Sequence, residues 1–134
     1  MTRLEQIVQG LYSKLSGISG LYVMRLRVFE ENELPASNLL IESVQASDRN
    51  VIGAQDWDVK FSVLSLVGGD APFAALEVRR TLIHTALLTD VRLGGLITDI
   101  TAHGFEMEPD DELPLVRLWQ HFTLQYRNNS LLEA

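Results

Sequence analysis

The chain has 134 residues, enough for one domain, taken as residues 1–134, to bury a core without staples. It has no cysteine, which excludes disulfides, thiol chemistry and Cys-based zinc sites, and its 46% hydrophobic and 22% charged content argues against disorder. The net charge of −7, with only Lys14 and Lys60 as lysines and Arg79-Arg80 as the one adjacent basic pair, argues against tight binding to a phosphate backbone. No run reaches the roughly 18 apolar residues of a membrane span. The N-terminal MTRLEQIVQG lacks the apolar core and cleavage site of a signal peptide, and the expectation is a protein made in a cytoplasm.

In chain order, residues 2–16 predict a helix. Thr2 and Glu5 have capping-box spacing, and Leu4, Ile7, Val8, Leu11, Tyr12 and Leu15 form an apolar stripe that Gly17 and Gly20 end. Leu21–Phe29 predicts a strand, with Met24, Leu26 and Val28 on one face and Arg25 and Arg27 on the other. Glu30–Ser37 reads as an acidic turn closed by Pro35. Asn38–Val44 follows as a second strand, then Gln45–Asp56 as a long polar loop. Trp57–Leu66 alternates as a third strand, with Trp57, Val59, Phe61 and Val63 facing inward. After Gly68-Gly69, Asp70 is placed to cap a second helix over residues 71–89. Its apolar face is expected from Phe73, Leu76, Ile83 and Leu87, flanked by Val78 and Leu82, with Glu77, Arg79, Arg80 and Thr81 on the polar side. Ile97–Ala102 predicts a fourth strand, Pro109–Pro114 a loop and Leu115–Arg127 a fifth strand; the tail NNSLLEA reads as loose. The order αβββαββ predicts an α+β two-layer sandwich. A mixed or antiparallel sheet of about five strands carries both helices on one face and leaves its other face open.

No catalytic constellation stands out. His84, His103 and His121 lie on separate elements without a second His or Cys at ligand spacing, and His84 reads as a core histidine. Asp99 and His103 share a predicted strand face about 13 Å apart, too far for a direct acid–base pair. Gly68-Gly69-Asp70 lacks the Lys-Ser/Thr and the spacing of a phosphate-binding loop, and reads as a plain turn. Glu106, Glu108, Asp110, Asp111 and Glu112 put five carboxylates into seven residues. They read as a solvated loop, a weak divalent-ion site without EF-hand spacing, or an acidic lining past which DNA slides. Arg117, Trp119, His121, Thr123 and Gln125 alternate on the last strand. That face reads either as a protein–protein hot spot or as a place where Trp119 packs under a loop.

The stretch from Asp56 to Tyr126 resembles the lambda-type phage tail terminator family, also called minor tail or tail-completion proteins. The resemblance rests on Trp57 opening the strand WDVKFSVLSL and on a helix after a Pro-containing turn. It continues with Leu96-Ile97-Thr98, Gly104-Phe105, Asp110-Asp111 and Trp119 in the family's order, and with the closing FTLQY strand. Residues before about position 50 match poorly. The resemblance implies a non-enzymatic virion protein of the tail, without cofactor, that caps the tail tube as a homo-hexameric ring. Such a ring stops tube polymerisation and presents a surface to the head–tail connector or neck, while DNA passes through it without specific binding. Residue by residue, the expectations are an oligomer interface at Arg79, Arg80, Arg117, Trp119 and His121, its arginines paired with acids of a neighbour. Tube or neck contacts are expected at Glu30, Glu31, Glu33, Asp48, Arg49 and Asn50, and a channel lining at Glu108, Asp110, Asp111 and Glu112. The alternatives are another head–tail joining protein or a small ligand-binding or enzymatic α+β domain.

Overall fold

A computed structural model describes residues 2–26, 28–51, 54–69, 72–110, 112 and 114–128, with the backbone alone for residues 31 and 48–51. The elements are α1 (Arg3–Lys14), β1 (Leu21–Val23), a 3-10 turn (Glu31–Glu33), β2 (Ala36–Val51), β3 (Ala54–Gly68), α2 (Pro72–Thr89), a second 3-10 turn (Leu93–Gly95), β4 (Asp99–Pro109) and β5 (Leu115–Asn128). The order αβββαββ and the α+β class are as the periodicity predicts. The five strands form one sheet in the order β1-β2-β3-β5-β4, antiparallel except for the parallel β1–β2 pair.

Directly opposed residues share a sheet face, so the register sorts the sheet into two sides. Leu39, Val63 and Phe61 lie on one side with Phe122, Leu124 and Ile100. They form one buried cluster with Ile7, Leu11 and Leu15 of the first helical segment and Ile83 and Leu87 of α2, so both helices cover the same face. Trp57 lies on this side, as expected. The capping box forms: Glu5 N donates to Thr2 Oγ1 at 3.1 Å, and Thr2 N donates back to the Glu5 carboxylate. Tyr12, placed in the stripe by spacing, is exposed instead. Lys14 Nζ donates to the carbonyls of Leu87 (3.3 Å) and Asp90 (2.5 Å), tying α1 to the C-terminal end of α2, where a cation is favoured.

Five expectations are corrected. The first strand ends at Val23, because Met24 takes a left-handed φ of 52° and turns the chain off the sheet. Asn38 then clasps the Arg25 backbone, accepting from its N–H (3.1 Å) and donating to its carbonyl (2.9 Å). The following segment crosses the second face of the sheet as a strap. Its Phe29 is buried with Ala36, Leu66 and Leu115, so that face is open only in part. The polar stretch Gln45–Asp56 is mostly paired strand: β2 and β3 make a long hairpin that reaches Val51↔Ala54. β4 runs on to Pro109, which moves Glu106 and Glu108 from a loop onto a strand. On α2, Arg79 is buried beside Leu76, Ile83 and Leu87, whereas Phe73, Val78, Leu82 and His84 are exposed. The expected cap Asp70 lies outside the described residues.

Gly20 fixes the start of β1. Its φ is 68°, and a Cβ there would stand 2.4 Å from the Pro35 carbonyl oxygen. Its own carbonyl accepts from Ser37 N at 2.8 Å, which sets the parallel register.

Candidate functional site

The second face of β5 carries Arg117, Trp119, His121, Thr123 and Gln125, each partly exposed, as the alternation predicts. β3 supplies Leu64 beside Trp119 and Ser62 beside His121; β4 supplies Glu106 beside Trp119 and Glu108 beside Arg117. His121 Nε2 lies 3.3 Å from a Glu106 oxygen, and its Nδ1 lies 3.2 Å from Ser62 Oγ and 4.0 Å from Glu42. The Ser62 hydroxyl donates to Glu42. The chain of groups Glu106–His121–Ser62–Glu42 thus crosses four strands, β4, β5, β3 and β2. Sequence spacing could not reveal it, because register alone brings these residues together.

This array has limited chemical reach. Ser62 is fully buried and its proton is directed at Glu42, so its oxygen is not presented to an incoming substrate. The two carboxylates address opposite nitrogens of one imidazole and cannot converge on one ion. Among the described residues no group of three or more His, Asp or Glu has metal-binding geometry. Further along the face, Gln125 donates to Asp58 (2.7 Å) and His103 bonds Thr123 rather than Asp99 (2.7 Å). These residues line an open polar depression of about 360 Å³ with Lys60, Asp99 and Thr101.

The arginines expected to reach across to a neighbour are engaged within the subunit. Arg79 Nε donates to Ser37 Oγ at 2.8 Å, whose own proton then goes to Ser65, and another Arg79 nitrogen donates to the Ser19 carbonyl. It is an internal pin and not a surface residue, and burial pushes its pKa down. Arg80 chelates Glu77 on the same helix and lies 4.5 Å over the Phe105 ring. Hydrogen bonding between the two raises the Arg80 pKa and lowers that of Glu77. Arg117 donates to Asp110 at 2.5 Å, and Asp110 is folded back into the β4–β5 turn rather than set out as lining. Glu33 holds Arg25 through two bonds of 2.7 Å, so it too has an internal partner. Glu108 and Glu112 remain exposed, as does Glu30. Asp111 and the side chains of Glu31, Asp48, Arg49 and Asn50 lie outside the described residues, although the backbone of 48–50 belongs to the hairpin and not to a loop.

No family model and no curated protein matches the chain. Among solved structures it is similar to a chain from the virion of a native gene transfer agent particle, with a TM-score of 0.60 and 10% identity over 95% of this chain and 92% of that one. It also overlaps the type 4 fimbrial biogenesis protein PilO from Pseudomonas aeruginosa at 13% identity, over 94% of this chain and 68% of that one, but at a TM-score of 0.33 this carries no argument. At such identities the first likeness shows a shared fold. No helix among the described residues is long and apolar enough to cross a membrane.

Proposed function

We propose that this chain is a non-enzymatic structural protein of a phage-type virion, and that it acts as the tail terminator. In this reading it closes into a ring, six copies by the family resemblance, at the end of the tail tube. The ring stops tube growth, presents a surface to the neck, and lets DNA pass without specific binding. The observation that carries the reading is the fold shared end to end with a chain of a gene transfer agent virion. The surface chemistry is compatible: the hydroxyl in the polar array around His121 is buried, and the net charge of −7 suits a wall that does not hold DNA.

The test is to add the purified chain to growing tail tubes of the same virion and image the products. Rings at one end, with tube lengths frozen at the time of addition, are expected. Rings that bind connector vertices while leaving tube growth unchanged would turn the reading to a neck protein. Neither binding nor arrest would overturn it.

A further inference from the structure

Hydrogen bonds around His121 fix where its protons sit. The Ser62 hydroxyl has one proton, and it goes to Glu42. The Ser62 oxygen, 3.2 Å from His121 Nδ1, is then left as an acceptor, so Nδ1 carries a proton. On the other side of the ring, Nε2 lies 3.3 Å from a Glu106 oxygen, and a carboxylate only accepts. A second proton on Nε2 makes this contact an ion pair; a bare Nε2 would set its lone pair against the carboxylate. The arrangement is therefore that of the doubly protonated ring. An imidazole passes from its charged to its neutral form between about pH 5 and 8. The contact to Glu106 thus holds in acid and is lost as the pH rises.

Glu106 lies in the outer half of β4, at the free edge of the sheet. The register with β5 shifts between Ala102 and Gly104, and Gly104 takes a φ of 116°, so residues 104–109 continue the strand beyond a break. Three cations reach this half: Arg80 over the Phe105 ring, His121 beside Glu106, and Arg117 bonded to Asp110 just past its end. Arginine keeps its charge at any pH a folded protein meets, so of the three only His121 changes its charge. Among the described residues, the other titratable groups facing His121 are Glu42 of β2, 4.0 Å from Nδ1, and, one row along the face, Lys60 of β3 and His103 of β4, both beside Thr123. The helices cover the opposite face. His103 is a poor switch, because the Thr123 hydroxyl donates to a bare nitrogen and accepts from a protonated one, and the bond survives either state.

We infer that His121 is a proton-operated latch on the free edge of the sheet. Charged, it holds Glu106 and with it residues 104–109; neutral, it lets Glu106 swing into water. Loss of the proton changes two properties of that edge together. Residues 104–109 open more often, and the second face gains one negative charge. The Glu106 side chain is 75% exposed, so solvent screens the pair and the effect on opening is modest.

The test follows the histidine ring nitrogens and the backbone amides of the isotope-labelled full chain by NMR from about pH 5.5 to about pH 8. His121 is expected to carry protons on both nitrogens at the acid end and on Nδ1 alone at the alkaline end, the tautomer that Ser62 requires. Exchange protection of those amides of residues 104–108 that bond to β5, corrected for the intrinsic pH dependence of exchange, is expected to fall about threefold across the range while β3 stays constant. Glu106→Ala, a truncation at an exposed position, is expected to abolish this fall and to keep the fold, and His103→Gln to leave the fall in place. A neutral His121 protonated on Nε2, a fall of equal size in Glu106→Ala, or its disappearance in His103→Gln overturns the latch.

Discussion

Arg79 shows how a charged residue can belong to a core. Its guanidinium joins Ser19, before β1, to Ser37 at the start of β2, so one side chain on α2 sets where the parallel pair begins. Replacing it with alanine leaves those oxygens without a donor and opens a void, an expected loss of about 3 kcal/mol. Arg79→Met fills the space and removes a buried cation, so its expected cost is nearer to about 1 kcal/mol. Equal losses in urea denaturation would show that the void contributes nothing and that the lost hydrogen bonds carry the whole effect. Asp90 offers a second residue-scale check. Its carboxylate accepts from Gly94 N (2.9 Å) and Arg92 N (3.2 Å), and these bonds, helped by Lys14, hold its pKa below the ordinary 3.8. The ionised form therefore stabilises the fold fully above that value, and the stabilisation is lost as the pH falls through the depressed one. The melting temperature of Asp90→Asn is expected to lie below that of wild type at neutral pH, with the gap closing below about pH 3.8. A gap that persists in strong acid would remove the carboxylate from the explanation.

At the scale of elements, the strap is the segment that alternation misread. Leu26 and Val28 alternate like strand residues, but the left-handed turn at Met24 lifts them off the sheet, and their apolar character serves an outer surface. Since the clamp depends on a planar, bidentate, stacked cation, Arg25→Lys is expected to speed amide exchange in residues 26–29 while exchange in β3 stays unchanged. Uniform acceleration across both would mean that the strap has no independent anchor. Other elements were legible for clear reasons. The capping box of α1 and the inward face Trp57-Val59-Phe61-Val63 follow directly from local spacing. The hairpin beyond Ala46 did not, because the polar run QASDRNVIGAQD lacks the apolar alternation of a strand and reads as loop. α2 was located correctly, and Leu76, Ile83 and Leu87 of its expected face are buried; Phe73, Val78 and Leu82 made that face look wider than it is, while the core side also includes an arginine. The array at His121 was invisible, being assembled by register across β2, β3, β5 and β4.

Taken whole, the subunit carries seven net negative charges, so copies repel one another at long range. If apolar surfaces drive their association, raising the salt from about 50 to about 500 mM screens the repulsion and tightens the assembly. If the arginines of one copy paired with the acids of the next, the same change would loosen it. Sedimentation velocity across that range separates the two cases, and tightening is the expected result, because Arg80, Arg117 and Glu33 already have partners at home.

The position of β5 in the sheet has a consequence for synthesis. It is the last described strand along the chain, yet it lies between β3 and β4 and supplies Phe122, Leu124 and Tyr126 to the core. A nascent chain that has reached only Pro109 holds the three-stranded sheet β1-β2-β3 and a lone β4 with nothing between them, and the row Val59, Phe61, Val63 waits beside an unpaired edge. The sheet therefore closes only once β5 is available. A copy that ends before β5 lacks the strand that joins β3 to β4, so the topology itself leaves its core incomplete.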